Sequence, residues 1–164
     1  MPVKKTLVVG LGNPILGDDG VGWHVAERLQ RQQQTLPAGV EIDTLALGGI
    51  GLMERLIGYQ RAIIIDALKT GHFPTGSVHS FRLDELENQF AGHLGSAHET
   101  NLQTALELGR DLGADLPDEV TVIAIESPYI YDFSDQLSPQ VAEAVEIAVQ
   151  LVSNLISAIN DQED

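Results

Sequence analysis

Residues 7–22 read Leu7-Val-Val-Gly-Leu-Gly-Asn-Pro-Ile-Leu-Gly-Asp-Asp-Gly-Val-Gly22. The apolar run Leu7 to Val9 has the character of a buried strand, and Gly10, Gly12 and Asn13 turn the chain. From about Asp19 an apolar period of roughly 3.6 residues sets in, predicting a helix to Gln33. Strand, glycine-rich turn and helix open a βαβ unit, whose turn lies at the carboxyl end of the sheet, where open α/β folds place ligands. Gly12 and Gly17 have the spacing of a phosphate-binding loop, but Asp18 stands where that motif needs Lys and Asp19 where it needs Ser or Thr. Two carboxylates at that mouth repel a phosphate and suit a metal ion. A helix dipole accounts for one acid in a first turn; this turn has two.

Further along, Val40–Leu47 alternates as a second strand, and Leu52–Ile57 reads as a short helix after the loop Gly48-Gly49-Ile50-Gly51. Arg61–Leu68 (RAIIIDAL) has three consecutive isoleucines, the mark of a central parallel strand buried on both faces. Asp66 follows them at the strand's carboxyl end, where an acid needs a partner or a cleft. The turn Gly71–Gly76 leaves no room for a crossover helix, so the next strand, Ser77–Leu83, is expected to be antiparallel. Asp84–Phe90 reads as a helical turn, and Ser96 with Glu99 forms a capping-box pattern for a helix continuing to Leu112, with His98 in its first turn. Histidine gains nothing from the dipole at that end. Val120–Ile125 is the last strand, and Ser138-Pro139 starts a final amphipathic helix, with Asp161–Asp164 expected to fray.

Strands and helices alternate except around the fourth strand, which predicts a three-layer α/β/α sandwich on a mostly parallel, twisted five-stranded sheet. At 164 residues the prior is one domain, 1–164. With no run of about 20 uninterrupted apolar residues and no signal-like start, no membrane partner is expected and a cytoplasmic location is the default. Nine basic against 24 acidic residues give a net charge of −15, which argues against nucleic acid. No cysteine is present, so thiolate metal sites and a cysteine nucleophile are excluded. No apolar helix face looks left over, and a monomer is expected.

Asp18 and Asp19 after the first strand, Asp66 at the end of the third and His98 before its helix are therefore the candidate site residues. Two carboxylates and an imidazole on one rim make a mixed oxygen and nitrogen set for a borderline divalent ion such as nickel or zinc, with positions left open for water or substrate. Competing signatures fail. His98-Glu99 begins like HExxH, but Leu102 replaces the second histidine; Ile15 replaces the third glycine of a dinucleotide fingerprint; no G-x-S-x-G elbow occurs. His24, His72, His79 and His93 read as ordinary surface, with His93 a neighbour of His98 that only geometry separates from it.

Three blocks in order, LVVGLGNPILGDDGVG (7–22), RAIIIDAL (61–68) and GSAHETNL (95–102), resemble the hydrogenase maturation endopeptidases. PTGSV (74–78) and Ser138-Pro-x-Val141 extend the resemblance over nearly the whole chain. It implies a phosphorylase/hydrolase-like fold and an aspartyl type of processing protease. Such an enzyme removes the C-terminal extension of a nickel–iron hydrogenase large-subunit precursor after nickel insertion. It also implies Asp19, Asp66 and His98 as the catalytic, metal-binding trio, with nickel presented by the substrate rather than tightly held. Asp19 is one methylene shorter than the Glu common in relatives, and Ala124–Pro128 departs from the usual glycine-rich segment. The metal could be a recognition element, could polarise the scissile carbonyl, or could stand beside a carboxylate base; recognition with assistance to hydrolysis is preferred, since three hard ligands hold nickel weakly. The alternatives are a nickel chaperone or carrier without cleavage, and a peptidyl-tRNA hydrolase-like enzyme, which shares GLGNP but lacks its partner element here.

Overall fold

The computed structural model describes residues 2–32, 36–46, 48–85, 97–128 and 132–162, with the backbone alone over 97–101. The order is β1 (Thr6–Leu11), a 3-10 turn (Gly17–Gly20), α1 (Val21–Gln32), β2 (Val40–Leu45), α2 (Gly49–Leu56), β3 (Arg61–Leu68), β4 (Val78–Arg82), α3 (Ala97–Asp111), β5 (Glu119–Glu126) and α4 (Pro139–Asp161). The strands lie in the order β2-β1-β3-β5-β4; all pairs are parallel except β4 with β5.

Period-two alternation divides the apolar side chains between two faces. Leu7, Val9, Leu11, Ala62, Ile64, Leu68, Val122 and Ala124 join Leu52 and Leu56 of α2 and Leu102 and Leu106 of α3. Val8, Ile63, Ile65, Ile123 and Ile125 meet Val21, Val25 and Leu29 of α1 and the stripe from Val141 to Ile156 of α4. The result is the three-layer sandwich expected. By length and composition α4 would suit a membrane span, but its Val141, Ala144, Val145, Ala148, Val149, Val152 and Ile156 are buried in this core.

Boundaries differ where packing overrides propensity. The first helix is preceded by its own 3-10 turn and starts at Val21 rather than Asp19. The second helix begins at Gly49, three residues before the expected Leu52, despite Gly49 and Gly51 in its first turn. Docking on α3 supplies what propensity does not: a Cβ on Gly109 would lie 3.1 Å from Met53 Sδ. Arg55 adds a tie to the edge strand, donating to Asp43 Oδ2 and to the Tyr59 hydroxyl, each at 3.0 Å. Burial raises the Tyr59 phenol above its ordinary range. The third helix stops at Asp111, and Leu112 is exposed. Most of Asp84–Phe90, Ser96 and His93 lie outside the described residues.

One contact positions the rest. A Cβ on Gly22 would lie 2.3 Å from the Ile65 carbonyl oxygen and 2.5 Å from that of Leu11, and one on Gly10 would lie 2.1 Å from the Gly22 carbonyl oxygen. The start of α1 therefore rests on the backbone of β1 and β3 with no side chain between. Gly22→Ala is expected to destabilise the protein by about 3 kcal/mol, because backbone oxygens cannot move aside as a side chain could. Denaturant unfolding measures it; a midpoint unchanged from wild type would refute the contact.

Candidate functional site

Strand order reverses at β1: the chain passes to β2 on one side and then returns to β3 on the other. The crevice at such a switch point lies at the carboxyl ends of the two diverging strands, here β1 and β3. Asp18 and Asp19 follow β1, and Asp66 sits near the end of β3. Their relative exposures are 1%, 9% and 1%, so these are carboxylates withdrawn from solvent and held by specific donors.

Glycine shapes the loop carrying the first pair. Gly12 has φ +128°, and a Cβ there would stand 1.9 Å from the Asp19 carbonyl oxygen. The chain thus folds back on itself, and Asp19 Oδ2 accepts the Asn13 N–H at 2.8 Å. The Asn13 side chain closes the tip by accepting the Ile15 N–H at 3.1 Å. Asp19 is consequently fixed by its own loop.

Asp18 has a different task. Its Oδ1 accepts the Ser138 N–H at 2.7 Å, 120 residues away, at the start of α4. Ser138 itself makes no side-chain cap bond, so Asp18 brings the negative charge to that helix end. Among the described residues its Oδ2 is buried without a hydrogen-bond partner. Of the two adjacent acids, one anchors the fold and the other faces the loop interior.

Asp66 shares a sheet face with Ile64 and Leu68, the face covered by α2 and α3. Its Oδ1 accepts the Ala67 N–H at 2.8 Å, which sets the carboxylate's orientation. The helix α3 leads from the carboxyl end of the sheet towards the start of β5, and it begins at Ala97. The backbone of His98 thus lies in the first turn of the helix that covers Asp66's face. The His98 side chain lies outside the described residues. Among the described residues no three His, Asp or Glu groups are placed to hold a metal together.

Glu126, which ends β5, carries no motif signature of a site in the sequence, yet it is buried. Its Oε1 accepts from Thr70 N at 3.0 Å, Thr70 Oγ1 at 3.0 Å and Gly71 N at 2.6 Å. It holds the loop from β3 to β4, the wall of the crevice beyond Asp66. A carboxylate directly after an apolar strand was the available signal, the same one that marked Asp66. His79, expected as plain surface, is half-buried between Phe73 and Phe81, with ring centroids 4.0 and 5.9 Å away.

Asp18 and Asp19 are expected to separate in mutagenesis. Asp18→Ala strips the Ser138 N–H of its acceptor and should cost about 1–3 kcal/mol of stability. Asp18→Asn keeps an acceptor oxygen and should recover most of it. Chemical denaturation of both variants checks this; equal losses would refute the capping role.

Comparison with known proteins places the chain. A family model described as hydrogenase maturation protease matches residues 23–155. The HupD hydrogenase expression/formation protein of Thiocapsa roseopersicina is 29% identical over 147 residues, which cover 90% of this chain and 65% of that protein. A putative hydrogenase maturation protease of Methanocaldococcus jannaschii is 30% identical, with 93% of this chain and 96% of that protein covered. Among solved structures, the hydrogenase maturating endopeptidase HybD of Escherichia coli superposes with a TM-score of 0.76 at 26% identity, covering 94% of this chain and 93% of that one. With a family model spanning most of its length and a fold shared with solved members, the chain belongs to the hydrogenase maturation protease family.

Proposed function

We propose that this protein is an endopeptidase that removes the C-terminal extension of a nickel–iron hydrogenase large-subunit precursor once nickel has been inserted, with that nickel recognised on the client by Asp19, Asp66 and His98. The observation that carries the reading is the placement of two oriented, nearly buried carboxylates at the ends of β1 and β3, on a chain whose family is one of processing proteases. Asp18 accepts the Ser138 N–H, and Asp19 is the acid of that loop assigned to the client.

The donor chemistry favours nickel as part of the substrate. Two carboxylates and an imidazole are hard to borderline donors, and without cysteine they lack the soft thiolates that hold nickel firmly. Such a set discriminates a client that already carries the ion from one that does not. Peptide hydrolysis further requires a base to take the proton of the attacking water, and Asp19 and Asp66 are carboxylates at that place able to accept it. Their backbone hydrogen bonds hold them in position beforehand, so little reorganisation accompanies binding.

The test is incubation of purified precursor, with and without nickel, and a gel that resolves loss of the extension. The nickel-loaded precursor is expected to shorten and the nickel-free one to persist. Asp19→Ala, Asp66→Ala and His98→Ala should each slow cleavage by about a hundredfold or more while the fold is retained. After chelator treatment the isolated protein should carry well under one nickel per chain. Stoichiometric nickel with no cleavage would instead mark a carrier, and full activity in Asp66→Ala would overturn the assignment.

A further inference from the structure

The loop that carries Asp19 also carries an apolar tip. Ile15 is 56% exposed and Phe133 is 86% exposed, large hydrophobic side chains on a chain of net charge −15. They belong together. A parallel bridge joins Leu16 to Ser134, through Gly17 N–H to the Ser134 carbonyl at 2.7 Å and Ser134 N–H to the Ile15 carbonyl at 3.0 Å. That register sets Ile15 beside Phe133 at about one strand spacing, roughly 4.8 Å between backbones. The pair forms one patch held by backbone hydrogen bonds.

We infer that Ile15 and Phe133 form the docking patch for the folded body of the large-subunit precursor, beside the site that receives its nickel centre. This rests on the proposed function above. The argument is one of reach. Asn13 donates to the Asp19 carboxylate at 2.8 Å, and Ile15 is two residues from Asn13, so its Cα lies within about 7 Å of that N–H donor's residue. A protein that brings a metal centre to Asp19 must therefore lie against Ile15, and through the bridge against Phe133. Burying that pair removes apolar surface from water at the rim of the site, where the fold itself gains nothing from it. The occupant is a protein surface of apolar character, because the two large side chains of the patch are apolar, while the exposed acids Asp132 and Asp135 on either side of Phe133 form its polar rim. The Asp18 tie to Ser138 holds the second strand of the patch to the first, so that both sides present together.

The experiment measures binding and cleavage separately, with purified nickel-loaded precursor as the probe. Ile15→Ser, Phe133→Ser and the double variant are titrated against immobilised precursor, then assayed for shortening of its tail. Each single change is expected to weaken Kd about tenfold, as truncation of an interface anchor does. KM should rise in parallel while kcat stays within about twofold, because neither side chain touches the reacting atoms. Leu112→Ser is the control: it is 79% exposed but sits beyond α3 at the opposite end of the sheet, and it should leave Kd unchanged. Unfolding midpoints of all variants should match wild type, since the substituted groups lie in water. A double variant that binds and cleaves with wild-type Kd and KM overturns the patch. Wild-type protein that binds the precursor without cleaving it overturns the proposed function alone, while the Kd values still decide the patch. Wild-type protein that neither binds nor cleaves overturns both.

Discussion

The start of α1 lies directly on the backbone of β1 and β3, a contact that only Gly10 and Gly22 permit. Any side chain at Gly22 would push the helix away from the Leu11 and Ile65 carbonyls and carry the 3-10 turn with it. That turn holds Asp18 and Asp19, and Ile65 is the neighbour of Asp66. A packing constraint between two backbones thus settles how near the acids after β1 come to the acid at the end of β3. Everything proposed for the site inherits that proximity. The loop ahead of the helix is then fastened twice, inward by Asn13 to Asp19 and outward by Asp18 to the start of α4.

Much of the architecture is legible in the sequence because local pattern and tertiary demand agree there. Leu7–Val9, Ile63–Ile65 and Val122–Ile125 are apolar on consecutive residues, which only a strand covered on both faces can accommodate. The short Gly- and Pro-rich link before β4 excludes a crossover, and β4 is indeed the antiparallel strand. Asp66 stands out for the same reason: an acid directly after three isoleucines needs a partner or a cleft. What escaped notice depends on distant partners. Nothing near Asp18 in the chain reveals that it caps a helix 120 residues on, and nothing near Glu126 reveals that it gathers Thr70 and Gly71. The early start of α2 is of this kind too, since its glycines are overruled by packing against α3. Long-range hydrogen bonds leave no periodicity to read.

The division of labour among the acids explains why a strongly negative protein can keep buried carboxylates. Asp18 and Glu126 are each bound to backbone N–H groups of another segment, and act as staples. Asp19 and Asp66 accept N–H groups from their immediate neighbourhood, which orients them. Buried carboxylates are costly unless hydrogen bonds or a counter-charge compensate them.

The most direct test of the central claim is a crystal of the protein soaked with a divalent ion and measured for anomalous scattering. The account predicts one peak at the switch between β1 and β3, with carboxylate oxygens of Asp19 and Asp66 and an imidazole nitrogen of His98 each at about 2.0–2.2 Å. A peak elsewhere, or an ordered His98 ring turned away from Asp66 with no ion between them, would contradict it.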